Sequence, residues 1–323
     1  MKLGRVRFES KYLAIQYFYE NKHWSIRWMC ERLGITRAAY YKWLRREVPE
    51  AEQENEQIAQ LIREYDDRFN HILGYRRMTL YINRLNHKSY SKNRIHRIMK
   101  VVGIHSVIRQ KRKKYQNSTP ESTADNILTR DFNATAPNEK WTTDVTEFKW
   151  YEGPVVHKLY LSMILDLYGL FPVAWVVSRR NDNKLVLDTF EQAIQNNPDV
   201  KPIFHSDRGF QYTSKIFQSK LREQGMTQSM SRVGYCIDNG PTENFWGILK
   251  SEMYYLNTFT DEDSLRKAIA DYMTFYSTER LQERFGGKTP AEVRAEALAT
   301  DTPMQYPIPE NKRIQKYKAR YAA

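Results

Sequence analysis

The order of periodicities after residue 135 constrains the fold of this chain more than any other feature. Three β-rich runs, Trp141–Trp150, Leu159–Leu165 and Leu170–Val177, follow one another, joined at Tyr151-Glu152-Gly153-Pro154 and at Asp166-Leu167-Tyr168-Gly169. Short runs separated by turn residues read as antiparallel hairpins. A helical pattern then covers Lys184–Gln195, and an apolar run, Pro202-Ile203-Phe204, climbs like a buried strand to a polar tip at Asp207. A helix over Ile216–Glu223 and a short strand near Met226–Met230 complete the series. Three strands, then helix, strand, helix and strand, predict an α/β fold: a mixed five-stranded sheet flanked by helices.

Upstream the periodicity is helical. Residues 10 to 22 read as a helix with an imperfect apolar face of Leu13, Tyr17 and Tyr19. Ser25 is placed to cap a second helix, whose Ile26, Met29, Cys30 and Leu33 recur at helical spacing before Gly34. Thr36 caps a third, running through Ala39, Tyr40, Trp43 and Leu44. Two short helices about a Gly-containing turn form a helix-turn-helix pattern over residues 1–48. Pro49 and a polar run mark a boundary. Ile58, Leu61, Ile62 and Tyr65 then define a longer helix, Met78, Tyr81, Ile82 and Leu85 another, and Ile95, Ile98, Met99 and Val102 a third, with Ser91 as cap and Gly103 as stop. These form a second, basic helix-turn-helix-like module over 49–115, followed by a linker over 116–134. A sheet domain over 135–297 and a basic tail over 298–323 complete the expected organisation.

The net charge of +13 is concentrated. Between Asp67 and Glu121 there is no acidic residue but fourteen Lys and Arg, Arg76, Arg77, Lys92, Arg94 and Arg97 among them. So long an unmixed run repels itself without an anionic partner, and nucleic acid fits that need. The two cysteines, Cys30 and Cys236, offer neither a disulfide framework nor a zinc set. No apolar run approaches a membrane span, and no signal-peptide core follows the basic N-terminus. A cytoplasmic, nucleoid-associated location is expected.

Three carboxylates stand out. Asp144 lies inside the first β run, where a charge is costly unless it faces solvent or a cation. Asp207 ends the fourth strand, a place that also suits a plain turn former. Glu243 follows Pro241, a good first residue for a helix, and Lys250 lies seven positions later on the same helical face. Glu252 points roughly the opposite way. Two Asp from neighbouring strands and one Glu from a packed helix can ligate a pair of hard cations, the arrangement for metal-assisted phosphodiester cleavage. Asp166, also at a strand end, is a rival ligand.

Thirty-five residues separate Asp207 from Glu243. With Lys250 beyond, this spacing resembles the DDE signature of retroviral integrases and of insertion-sequence transposases with an integrase-like core. The surrounding phrases sharpen the likeness: His205-Ser206-Asp207-Arg208-Gly209, Gln211-Tyr212, Ser229-Met230-Ser231-Arg232 and Asp238-Asn239-Gly240-Pro241. Together with Gly74-Tyr75-Arg76-Arg77 and Thr289-Pro290-Ala291, they look like the large bacterial family whose transposase is encoded in two overlapping frames. The zinc domain of viral integrases cannot be built here, because Cys30 is the only cysteine of the N-terminal half. Where relatives carry Tyr-Asn and then Arg and His, this chain has Tyr276-Ser277, Arg280 and Gln282, a departure that leaves those terminal polar roles open.

The resemblance implies an RNase H-like integrase core in which Asp144, Asp207 and Glu243 ligate two Mg2+ or Mn2+ ions. It makes Lys250 a DNA contact, with Arg208 supporting the loop and nearby DNA. The N-terminal modules would bind the element's terminal inverted repeats through Thr36, Arg37, Arg76, Arg77, Lys92, Arg94 and Arg97. The expected activity is DNA cleavage and strand transfer on double-stranded DNA, element ends and target alike, within a synaptic multimer. Alternatives are an RNase H-like nuclease without joining activity, or a silent DNA-binding remnant acting as repressor. His205 has no assigned role.

Overall fold

The computed structural model describes residues 8–108, 127–128, 131–231 and 239–307. The expected linker and basic tail lie mostly outside these residues, as do Arg109 to Lys114 of the basic run. The chain divides into two compact units, Met1–Val107 and Ile108–Ala323.

The first unit is helical. Its elements are α1 (Glu9–Lys22), α2 (Ile26–Leu33), α3 (Arg37–Leu44), α4 (Glu50–Arg68), α5 (Tyr75–Leu85) and α6 (Lys92–Val102). Ser25 accepts the Trp28 N–H at 3.4 Å and Thr36 the Ala39 N–H at 3.1 Å, so both caps form where the sequence puts them. Gly34 ends α2 with φ 64°, a left-handed conformation that costs glycine little. The apolar face expected for α1 is the wrong one. Leu13, Tyr17 and Tyr19 are exposed, while Tyr12 and Ile15 pack with Met29, Cys30 and Tyr40. Aromatic residues lie on both sides of α1, so periodicity alone does not choose between the faces. In α4 to α6 most of the expected stripes are inward, with Ile58, Ile62, Met78, Tyr81, Ile82, Ile95, Ile98 and Met99 buried, whereas Leu85 at the end of α5 is exposed.

At α6 the Ser91 hydroxyl accepts the Arg94 N–H at 3.2 Å. Ser91→Ala is expected to cost about 1 kcal/mol, read as a lower urea midpoint of the N-terminal unit at unchanged m-value. An unchanged midpoint would show that solvent serves this helix end as well as the hydroxyl does.

The second unit is built on β1 (Lys140–Glu152), β2 (Val155–Asp166), β3 (Phe171–Ser178), β4 (Ile203–Ser206) and β5 (Thr227–Met230). Strand order is β3-β2-β1-β4-β5; β1–β2 and β2–β3 are antiparallel, and β1–β4 and β4–β5 are parallel. Helix α7 (Asn183–Asn196) connects β3 to β4. One-turn α8 (Phe210–Thr213), absent from the sequence reading, and α9 (Lys215–Glu223) connect β4 to β5. Helices α10 (Gly240–Glu252), α11 (Glu262–Thr278) and α12 (Pro290–Leu298) follow.

Each face of the sheet has its own core. Alternation along β2 puts Leu159, Leu161, Met163 and Leu165 on one side, against Phe245 and Leu249 of α10 and Ile269 and Met273 of α11. On the other side Trp141, Ile164, Ala174 and Phe204 meet Phe190 of α7 and Phe217 of α9. Edge strand β3 is blunted: Asn196 donates to the Val173 carbonyl at 3.2 Å and Arg266 to that of Val177 at 3.0 Å. Among the described residues no helix is long and apolar enough to cross a membrane.

Candidate active site

Strand register brings the first two carboxylates together. β1 and β4 run parallel with Lys140 beside Ile203, Trp141 beside Phe204 and Thr142 beside His205. The same register continued two residues further sets Asp144 beside Asp207, on the same side of the sheet. Odd-numbered Trp141 faces the α7 core, and Phe148 faces α10, so Asp144 shares the α10 side with Phe148.

Helix α10 is pinned over that row by its first turns. Asn239 donates from Nδ2 to the Thr143 carbonyl at 3.0 Å, and the Thr242 hydroxyl donates to the Thr142 hydroxyl at 2.7 Å. Trp246 donates its indole N–H to Asp144 Oδ2 at 3.0 Å. Glu243 therefore stands in the first turn of a helix whose start is docked on β1. Asp144 Oδ1 accepts the Val145 amide at 2.7 Å, and Asp207 Oδ1 accepts the Gly209 amide at 2.8 Å as the chain turns into α8.

The electrostatics agree with convergence. Burial, then the charge of Asp207, pushes the half-buried Asp144 carboxyl up to about 7. Burial raises Asp207 against the lowering effect of the Gly209 amide. Glu243 is raised by partial burial and by Asp207, although its side chain is exposed. Carboxylates that resist ionising together form a site short of positive charge, and their hard oxygens match what Mg2+ or Mn2+ takes. Lys250, in the last turn of α10, is half-buried with its ammonium 5.4 Å from the Phe148 ring centroid. Burial lowers its pKa, against the pull of Asp144 and Glu147.

The rivals are occupied elsewhere. Asp166, 1% exposed, accepts from the Asn138 amide at 2.9 Å, the Tyr168 amide at 3.1 Å and Arg294 at 2.5 Å, so its carboxylate ties β2 to α12. Glu252 receives Arg280 bidentately at 2.9 and 2.8 Å and the Tyr272 hydroxyl at 3.0 Å. Arg280, whose role the sequence left open, is thus a buried brace between α10 and the end of α11.

His205 also has a place. The Ser229 hydroxyl accepts the Ile127 and Leu128 amides, both at 3.0 Å, which fills its lone pairs. Its own hydrogen then goes to His205 Nδ1 at 2.9 Å, leaving the ring proton on Nε2 to face the Ser231 hydroxyl at 3.2 Å. The imidazole is a buried tie between β4 and the end of β5, one residue upstream of Ser206. Arg208 reaches the same end of β5, donating to the Ser231 carbonyl at 2.6 Å.

In the helical unit the assigned cations divide. Arg37, Arg76, Lys92 and Arg97 are exposed, as is Thr36, whose hydroxyl caps α3. Arg94 turns inward, bonding Asn55 at 2.9 Å and pairing with Glu54 at 2.7 Å. Arg77 is half-buried and donates to the Ile72 carbonyl at 3.0 Å. Both therefore brace the unit: Arg94 because Asn55 and Glu54 near the start of α4 lie within its reach, and Arg77 by closing on the Ile72 carbonyl ahead of α5. Trp246 was missed by sequence reasoning; its spacing of three from Glu243 was the available signal.

Comparison with known proteins follows the same division. Family models described as integrase core domain match residues 134–236 and 243–298, and one described as an HTH-like domain matches 52–112. InsK of insertion sequence element IS150 from Escherichia coli K12, named as a transposase, is 40% identical over 226 residues, which cover 68% of this chain and 77% of that one. The transposase for IS904 of Lactococcus lactis is 34% identical over 202 residues, 62% of this chain and 78% of that one. Among solved structures, the HTLV-2 integrase catalytic core domain in complex with magnesium is 22% identical, covering 49% of this chain and 96% of that chain, with TM-score 0.39. With an HTH-like domain ahead of a mixed five-stranded integrase core, the chain belongs to the insertion-sequence transposases.

Proposed function

We propose that this transposase cuts DNA at its element's ends and joins the freed ends to target DNA, using Asp144, Asp207 and Glu243. The observation that supports this is electrostatic: Asp144 on β1 feels the charges of Asp207 after β4 and of Glu243 at the start of α10, and all three carboxyls have a raised pKa. Together they would hold two Mg2+ or Mn2+ ions. Bound there, the ions would polarise the scissile phosphodiester and lower the pKa of the attacking hydroxyl. In cleavage, water attacks phosphorus and the bond to the 3′ oxygen breaks, which leaves a 3′-hydroxyl. In joining, that hydroxyl attacks a second phosphodiester in the same way. The three rigid elements hold the carboxylates in place through both reactions, and Lys250 holds a DNA phosphate beside them.

The helical unit supplies the grip on the inverted repeats. Arg37 with Thr36 at the start of α3, Arg76 on α5, and Lys92 and Arg97 on α6 are its phosphate and base contacts. Two ends are joined in one event, so a multimer assembles on DNA. Incubation with end-containing DNA and Mg2+ should yield both cleaved and joined products. Cutting without joining would support a nuclease; binding without either would support a repressor. Arg97→Ala should weaken binding across sequences and flatten the plot of log K against log salt by about one unit of slope. Arg94→Ala should lower stability instead, and an Arg97→Ala slope equal to the parent's would remove that residue from the interface.

A further inference from the structure

Each oxygen of Asp144 already receives one N–H: Oδ1 from the Val145 amide at 2.7 Å and Oδ2 from the Trp246 indole at 3.0 Å. A carboxylate offers about four lone-pair directions, so about one on each oxygen remains for another partner. With both oxygens held, the plane of the group is fixed. One of the two donors is backbone, so no substitution of Trp246 removes it. The other comes from α10, three positions after Glu243, so the helix that carries the third carboxylate also orients the first.

The donor's chemistry matters. An indole N–H is neutral and donates only, so it orients a carboxylate without cancelling the charge a cation needs. Lys or Arg at this position would orient and neutralise together. Trp246 is 6% exposed and its ring packs edge-on to Phe245 at 5.3 Å within the α10–α11 core, so the donor is rigidly held. Groups that bond a metal ligand from behind usually fix its orientation and tune affinity.

We infer that Trp246 is a positioning residue. Its indole N–H holds the Asp144 carboxylate so that the remaining lone pairs face the space shared with Asp207 and Glu243, and this sets how tightly the site takes a divalent cation. The inference rests on the proposed carboxylate site. Trp246→Phe keeps a ring in the core and removes only the donor and part of the indole.

The test is Mn2+ binding to the full chain without DNA, followed by the spin-resonance signal of free Mn2+. Trp246→Phe should bind about 10- to 100-fold more weakly than the parent. Ile269→Val, a fully buried change on α11 with no bond to Asp144, should lower the melting temperature and leave Mn2+ affinity unchanged. Placed on Asp144→Asn, Trp246→Phe should weaken binding no further. The inference is overturned if Trp246→Phe binds Mn2+ as the parent does, or if Ile269→Val weakens it equally. A parent protein that takes up no Mn2+ would instead overturn the carboxylate site itself.

Discussion

Asp207→Asn is expected to reduce cleavage and strand transfer by about 10^3-fold or more while the protein stays folded and still binds DNA. Removing one preorganised electrostatic partner from an active site typically costs about 10^2- to 10^3-fold, and loss of a metal ligand should lie at or beyond the upper end. The fold should tolerate the change because the amide oxygen of Asn can still accept the Gly209 N–H that Asp207 Oδ1 accepts at 2.8 Å. The turn into α8 is thereby kept. What is lost is a negative charge, and an NH2 group takes the place of an acceptor. DNA binding should persist because the exposed cations assigned to it lie on α3, α5 and α6. Asp166→Asn provides the contrast: it weakens the Arg294 brace, so it should lower the melting temperature before it touches the chemistry. Metal-dependent cleavage that survives Asp207→Asn unchanged would falsify the site assignment.

The part of this site that was legible came from residues whose backbone context is local. Asp207 follows an apolar strand, and Glu243 follows Pro241 at a helix start, so their elements could be placed from neighbours alone. The strands were legible because Leu159, Leu161, Met163 and Leu165 alternate. What was not legible depends on long-range pairing. Arg94 reads as one more cation in a basic run until Asn55 and Glu54 of α4 come against it. Asp166 reads as a strand-end ligand until Arg294, far along the chain, closes on it. The face of α1 failed for a different reason: its aromatic residues encircle the helix, and tertiary contact with Met29 and Tyr40 chooses which of them go inside.

Stabilisation of the protein by Mg2+ should grow as pH rises, and the sign follows from the carboxylates. Burial and Asp207 push Asp144 up to about 7, from an ordinary value of 3.8. Asp207 and Glu243 are also raised. A carboxyl raised by folding binds its proton more tightly in the folded chain than in the unfolded one. Its cost to stability is therefore absent below the unfolded value, appears as pH rises towards the folded value, and is constant above it. At roughly 1.4 kcal/mol per unit, the Asp144 shift sets a ceiling on the order of 4 kcal/mol. Without divalent cation the melting temperature should fall between about pH 4 and about pH 7. Mg2+ competes with protons for the same oxygens, so it should add little at the lower pH and several degrees at the higher, at about 2–4 °C per kcal/mol for a domain of this size. Asp144→Asn has no proton to lose. It should melt higher than the parent in metal-free buffer at about pH 8 and respond least to Mg2+. A Mg2+ effect of equal size at both pH values, or one undiminished in Asp144→Asn, would show that the ion binds somewhere other than these carboxylates.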